Sequence, residues 1–421
     1  MAVPGHTQTQ QWWAAVGPSW VEVDLDAIVE NLEVVRRVVG RDRRVLGVVK
    51  ADAYGHGASA VALALEASGI EAFGVSTVAE ALGLRAAGVA CPILVFTPPR
   101  LEDLPGGLEG DLTFTVTSLE GARALAEAAS RRSTPATAHL KVDTGMGRYG
   151  FAPADLGPAA AELLALGPAV RWEGLYTHMA RGVDPEACRR QLRRLETAAQ
   201  DAAARGLRPP LRHAAASAAL LCCPEARLDM VRVGNLLYGE VPVGAPRPEG
   251  LRRAFAMRAT PGEVRELPAG ATVGYASAWR ARRPTRVTVL PVGFADGLDL
   301  TPAGPYRRVG VLVRALARAV LGLVGLGGRL LGAAAGEVEI GGRRVPVLGR
   351  VGMQQVTLDV SALPTDRPLP VASVHILPTM AAGYLPRVYL RDGVAIAART
   401  PSGPLQAAPA PATEDRPFSG R

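Results

Sequence analysis

Lysine and cysteine are both scarce in this 421-residue chain, and each scarcity is informative. Of 47 Lys and Arg residues, only Lys50 and Lys141 are lysine. Arginine carries almost all the solvated positive charge, and it does not give up its proton in a protein, whereas a lysine amine does. The two remaining lysines therefore mark positions where a primary amine is wanted. The four cysteines, Cys91, Cys188, Cys222 and Cys223, form no C-x-x-C pair and no Cys/His metal spacing, which argues against zinc modules and redox dithiols, so no metal is expected. No run of 18 apolar residues is free of charge, and no apolar leader follows a basic start. No membrane partner is expected, and the cytoplasm is the expected location. The formal charge of +8 is spread over scattered arginines with no finger, zipper or basic-aromatic stripe, so nucleic acid is not an expected partner either.

An apolar fraction of 48% with 20% charged residues leaves ample material for a core, and the length suits two domains. Residues 1–18 are polar and punctuated by Pro and Gly, and are expected to be loosely ordered. From Trp20 onward, short β-branched runs alternate with Ala/Leu/Arg-rich helical stretches such as TVAEALGLRAAG. Candidate strand ends fall near Lys50, Ser76, Thr97, Thr117, Val142, His178, Ala214 and Arg232. Eight alternating units predict an α/β fold, a (β/α)8 barrel over 19–244. The rival, an open doubly wound sheet, is weakened because no G-x-G-x-x-G follows the first strand. After Gly244 helical stretches thin out and strand-like runs dominate, predicting a mostly-β domain over 245–400. Within it, EVEIGGRRVPVLG reads as a hairpin turning at Gly341-Gly342,. Residues 309–336 read as a helical insert with an apolar face, and the Pro/Ala-rich end, 401–421, as disordered.

Polar groups gather at the ends of the predicted barrel strands, where barrel active sites form. VVKADAYGHG puts Lys50 at the end of an apolar strand, with Tyr54 in the Gly-rich loop beyond. An amine leaving low dielectric in neutral form is what a Schiff-base lysine requires, and Tyr54 is placed to donate to a phosphate oxygen. KVDTGMGRYG delivers Lys141 and Arg148, LYTHM delivers His178, HAAASAA delivers Ser217, and VRVGNLLYG delivers Arg232, Gly234 and Asn235. Gly234 would let backbone N–H groups approach a phosphate closely. Asp143 and Asp296 read as turn residues, and His56, His139 and His213 as structural or loop residues.

In this order, and together with VGFADG and GRVGM, these segments resemble the alanine racemase family over roughly residues 19–360. The resemblance implies an amino-acid racemase using pyridoxal 5′-phosphate (PLP), making D-alanine for cell-wall synthesis. It also implies a small amino-acid substrate and a homodimer in which each site is completed by the partner's second domain. Carried over residue by residue, Lys50 is the PLP lysine and the base on one face of the substrate Cα. Tyr54, Ser217, Gly234 and Asn235 bind phosphate, Arg232 faces the pyridine nitrogen, and His178 stacks on the ring. Arg148 lies near the cofactor's phenolic oxygen and the substrate carboxylate, which the Met353 backbone also helps to hold. Lys141 matches a lysine often carbamylated in the family, where it would hold Arg148.

The chain departs from the pattern in four places. Phe294 in VGFADG stands where the resemblance leads to a catalytic tyrosine. Gln354 replaces the usual Asp after Met353. Tyr384 lies one position off a late phosphate-contacting tyrosine, and the 309–336 insert is additional. A second proton donor must then come from elsewhere, with Tyr275 in VGYASAW, Tyr306, water or a cysteine as candidates. Two alternatives stay open: a fold-related PLP enzyme, such as a decarboxylase or one working on one face of Cα or on another amino acid, and a PLP-binding homologue without catalysis.

Overall fold

The computed structural model describes residues 16–132, 134–298, 338–376 and 383–400, and the backbone of 405–407. Tyr306, the 309–336 insert and most of the 401–421 tail lie outside the described residues. The chain divides into two compact units.

The first strand, β1 (Ser19–Asp24), belongs to the second unit and not to the barrel. It pairs antiparallel with β10 (Phe255–Ala259), Ser19 opposite Ala259 and Val23 opposite Phe255. This corrects the expected start of the barrel at residue 19. The barrel unit runs from Asp24 to Ala254, so its far edge also lies beyond 244. The expected looseness of 1–18 fails at its end, because Val16 packs with Trp20, Val388 and Ala398.

Eight parallel strands close the barrel in sequence order: β2 (Arg44–Val48), β3 (Ala72–Val75), β4 (Ile93–Val95), β5 (Thr113–Val116), β6 (Ala136–Lys141), β7 (Val170–Tyr176), β8 (Leu211–Ala216) and β9 (Met230–Val233). The ring shuts where β9 pairs with β2, Arg44 opposite Met230 and Gly47 opposite Val233. The strands are buried on both faces, as helix-covered parallel strands are. Β5, for example, is buried throughout.

The surrounding helices start and stop where their caps dictate. Asp24 accepts the Ala27 N–H to open Leu25–Val39, which presents Leu25, Ile28, Leu32, Val35 and Val39 to the core and ends at Gly40 with φ +90°,. Thr77 and Glu80 form a capping box at the start of Val78–Ala86,. Asp184 caps Pro185–Ala204, with Pro185 at the first helical position,.

The second unit is antiparallel. Its strands after β10 are β11 (Val264–Leu267), β12 (Thr272–Val273), β13 (Trp279–Arg280), β14 (Thr285–Leu290), β15 (Val338–Ile340), β16 (Arg343–Val345), β17 (Val347–Leu348), β18 (Val356–Asp359), β19 (Ala372–Val374), β20 (Arg387–Arg391), β21 (Val394–Arg399) and β22 (Leu405–Ala407). The larger sheet runs β16-β15-β19-β10-β1-β20-β21-β22, and a second runs β11-β14-β18-β17. The hairpin expected at Gly341-Gly342 joins β15 to β16 with Ile340 opposite Arg343. Both glycines have positive φ, +57° and +75°, as a two-residue I′ turn demands. Strand β22 pairs with β21, so the expectation of disorder from 401 onward fails at 405–407. Among the described residues, no helix is long and apolar enough to cross a membrane, and no cluster of His, Cys, Asp or Glu is arranged to hold a metal.

Candidate active site

Lys50 lies one residue beyond β2, after Val49, and opens an unusual turn. Ala51, Asp52, Ala53 and Tyr54 all have φ between +51° and +56°, one turn of left-handed helix built from non-glycine residues. Such backbone costs roughly 1–2 kcal/mol per residue and persists only where its surroundings over-determine it. Several hydrogen bonds do so here. Glu80 accepts the Ala51 N–H (2.7 Å) and the Ser76 N–H (2.7 Å), and the Asp52 carboxylate accepts the Ala58 N–H (2.9 Å). Beneath the turn the Tyr238 ring stacks on His56 at 4.4 Å and lies 5.2 Å from the Tyr54 ring. The Tyr238 hydroxyl donates to the Val48 carbonyl (2.8 Å). Lys50 is half-buried. Burial and then the Arg148 charge push its pKa down, with Glu80 opposing, so its amine loses its proton more readily than a free lysine's.

Tyr54 meets the end of β9 at Gly234. A β-carbon on Gly234 would lie 2.7 Å from the Tyr54 hydroxyl oxygen, so glycine is what lets the Tyr54 ring come this close to the backbone. Asn235 follows Gly234 directly, and Ser217, buried, follows Ala216, which lies opposite Arg232.

Arg232 is fully buried among acceptors. Its Nη2 donates to the Thr177 carbonyl (2.7 Å) and the Ala214 carbonyl (2.9 Å), and its Nη1 to His213 Nδ1 (2.7 Å). Burial pushes its pKa down to about 10, which still leaves it charged at neutral pH. His178 Nδ1 sits 3.3 Å from Arg232 Nη2. Burial first, then the charges of Arg232, Arg148, Lys141 and Lys50, push His178 down to about 3, so its ring is neutral.

The KVDTGMGRYG loop is organised by Asp143, whose Oδ1 accepts the N–H groups of Gly145, Met146 and Gly147 and whose Oδ2 accepts that of Arg148. This is the turn role expected of it. Lys141 Nζ donates to the Tyr149 carbonyl (2.8 Å). Burial, then the Arg148 charge, lowers the Lys141 pKa to about 8. Arg148 itself is exposed.

Two further residues bear on this site. Glu80 carried no expectation from the sequence, yet it ties the Lys50 turn to the end of β3. His213, quoted within HAAASAA but read as structural, touches Arg232 directly; its signal was its place on the strand that leads into Ser217, four residues before it.

In the second unit, Phe294 donates its N–H to the Gly352 carbonyl (3.0 Å) and Ala295 its N–H to the Met353 carbonyl (2.9 Å), locking VGFADG onto GRVGM. Asp296 fixes this turn by accepting the Gly293 N–H (2.8 Å), and it takes the Tyr384 hydroxyl at 2.6 Å. Met353 is 63% and Tyr275 77% exposed. Gly274 (φ +79°), Ala276 (φ +57°) and Ser277 (φ +49°) hold the Tyr275 segment in a left-handed bend.

A closed parallel barrel with a deprotonatable lysine, a buried arginine and a tyrosine packed on a glycine backbone at one mouth, followed by an antiparallel unit, defines a barrel enzyme. The alanine racemase N-terminal domain family matches residues 23–242, and the alanine racemase C-terminal domain family matches residues 254–378. Alanine racemase 2 of Caldanaerobacter subterraneus is 35% identical over 349 residues, 82% of each chain. The alanine racemase of Symbiobacterium thermophilum is 37% identical over 86% of this chain and 87% of its own. Among solved structures, alanine racemase of Clostridium difficile superposes with a TM-score of 0.79 at 26% identity, covering 92% of this chain and 99% of its own. That of Streptomyces coelicolor gives 0.73 at 29%, covering 90% and 100%. The chain belongs to the alanine racemase family, a family of PLP-dependent isomerases.

Proposed function

We propose that this chain interconverts L- and D-alanine with PLP held by Lys50, and that it does so as a homodimer. The observation that carries the reading is that Lys50, its pKa lowered by burial and Arg148, opens the turn whose Tyr54 ring packs against the Gly234 backbone. An amine poised to lose its proton, on one turn with a hydroxyl that meets a glycine backbone, fits an aldehyde cofactor with a phosphate tail. Ser217 and the N–H groups of Gly234 and Asn235 supply further phosphate donors.

When bound, PLP draws electrons from the substrate Cα and makes its proton removable. The remaining work belongs to the protein. Lys50 takes or returns the proton on one face. Arg232, which does not give up its protons, would face the pyridine nitrogen and disfavour its protonation, which would favour return of the proton to Cα over side reactions. The neutral His178 ring would lie against the cofactor without adding charge. Arg148 would hold the substrate carboxylate, helped by the Met353 backbone contributed by a partner copy. Lys141, half neutral near pH 8, is suited to carbamylation, and the resulting carboxylate would hold Arg148.

The second face is served by Tyr275, contributed by a partner copy. Phe294 has no proton to transfer, whereas Tyr275 is exposed and held out on a strained bend, the kind of backbone that concentrates at working sites.

The test is incubation of PLP-loaded protein with L-alanine and, separately, D-alanine in D2O, following deuterium at Cα and chirality together. Exchange with inversion in both directions is the expected result. Exchange with retention would mean one-face chemistry, and neither with any amino acid would overturn the reading.

A further inference from the structure

A line of polar groups leaves Arg232 and crosses the barrel interior toward the opposite mouth. Arg232 Nη1 meets His213 Nδ1 at 2.7 Å. His213 Nε2 meets His139 Nδ1 at 2.9 Å. His139 Nε2 faces Glu173 Oε2 at 3.6 Å. Both histidines are buried, 4% and 0% exposed, while the Glu173 side chain is 34% exposed. Glu173 lines a cleft of about 420 Å³ with Asp42, Arg44, Pro210 and Asp229, residues that precede or begin β2, β8 and β9. The line therefore ends at solvent on the N-terminal mouth.

The barrel wall is shaped for it. Pairing shifts by a bulge at His139 between β6 and β7, and again after His213 between β8 and β9. Β7 carries Gly174 where any β-carbon would lie 2.5 Å from His139 Nδ1. Tyr176 stacks flat on His213 at 4.6 Å and is held by Thr115 (2.9 Å).

Proton bookkeeping fixes the line's polarity. Arg232 can only donate, so His213 Nδ1 accepts and its proton sits on Nε2. His139 Nδ1 then accepts, and its proton sits on Nε2, facing Glu173. We propose that Glu173 is a positioning residue: from the far mouth it fixes the Nε2-protonated, neutral state of His139 and His213, and through them the seating of Arg232. Without that acceptor, the His139 Nε2 proton would be buried without a partner, and the His213 contact alone would favour that tautomer. Its other tautomer would set two N–H groups against each other at the His213 contact. Other charges act on the line as well: Arg232 disfavours a positive charge on either histidine, and Arg171 and Arg44 help keep Glu173 ionised. Lys141 Nζ lies 5.9 Å from the Tyr176 ring centre.

The consequence for rate rests on the racemase reading; the tautomer assignment does not. The experiment is nitrogen-15 NMR of histidine-labelled, PLP-loaded enzyme, with signals assigned by their loss in H139Q and H213Q. Both residues are expected as neutral Nε2-H tautomers that do not titrate across neutral pH. Glu173→Leu should lose this pattern and lower kcat by roughly tenfold or more, with KM little changed. Glu173→Gln, which keeps an acceptor, should retain both. An imidazolium or Nδ1-H signal from either histidine in the wild type would overturn the proposal, even if E173L fails to fold. So would a folded E173L with the wild-type pattern. Absence of racemisation in the wild type would instead count against the racemase reading and leave the NMR result standing.

Discussion

Gly234 and Tyr54 meet edge to edge: the space a β-carbon on Gly234 would need is taken by the Tyr54 hydroxyl, 2.7 Å away. Gly234→Ala must therefore displace the ring that roofs the proposed phosphate site. Overpacking of this kind costs about 1–3 kcal/mol, and much of that should appear as lost cofactor affinity. Equilibrium dialysis is expected to show PLP binding weakened by about tenfold or more, with a smaller change in Tm. Unchanged affinity would remove Gly234 from the phosphate site.

Lys50→Ala should abolish the visible absorbance of lysine-bound cofactor and reduce racemisation by at least about 10³-fold. If the variant still binds PLP covalently, the assignment of Lys50 is wrong.

Tyr275→Phe should lower racemisation by roughly 10²–10⁴-fold, while deuterium exchange at Cα with retention survives far better from one enantiomer than from the other. Equal loss of exchange from both enantiomers would point away from a face-specific acid/base. Full activity would send the search for the second donor to Tyr306.

The Lys141 amine deprotonates as pH rises through about 8, whereas an ordinary lysine does so near 10.5. Only the neutral amine reacts with carbon dioxide. With carbon-13 bicarbonate, a carbamate signal should therefore grow as pH rises toward 8 and be absent in Lys141→Ala. A wild-type signal that appears only above about pH 10 would refute the lowered pKa.

Gly174→Ala drives a methyl group into the His139 ring at the β7 bulge. Thermal unfolding should report a loss of about 1–3 kcal/mol, whereas Gly83→Ala, where nothing lies within 4 Å of the added carbon, should not destabilise.

The barrel was legible because its signal repeats. Eight apolar runs separated by helical stretches matched β2 to β9, and the motif residues fell at the strand ends. Β1 was misread because an apolar strand before a capped helix looks the same whether its partner is β2 or β10; only long-range pairing decides. The left-handed turn after Lys50 was hidden for a related reason. Ala-Asp-Ala-Tyr has no local preference for positive φ, so the conformation comes from Glu80, Asp52 and Tyr238. Phe294 drew attention in the sequence because it breaks a motif, whereas the exposure of Tyr275 depends on the backbone of Gly274, Ala276 and Ser277. The His213–His139–Glu173 line was scattered over three strands and emerged only when the barrel closed.

Because β1 lies between β10 and β20 in the larger sheet, the barrel unit is, along the chain, an insertion of roughly 230 residues between two neighbouring strands. At about 5–20 residues per second, a ribosome would take about 10–50 seconds to deliver β10 after β1 has emerged. During that interval β1, rich in valine, is an unmatched strand, and anything that shields it in the cell would raise the yield of the second unit. A fragment beginning at Phe255 would lack an interior strand of its own sheet, whereas one spanning Asp24–Ala254 would keep every strand of its barrel.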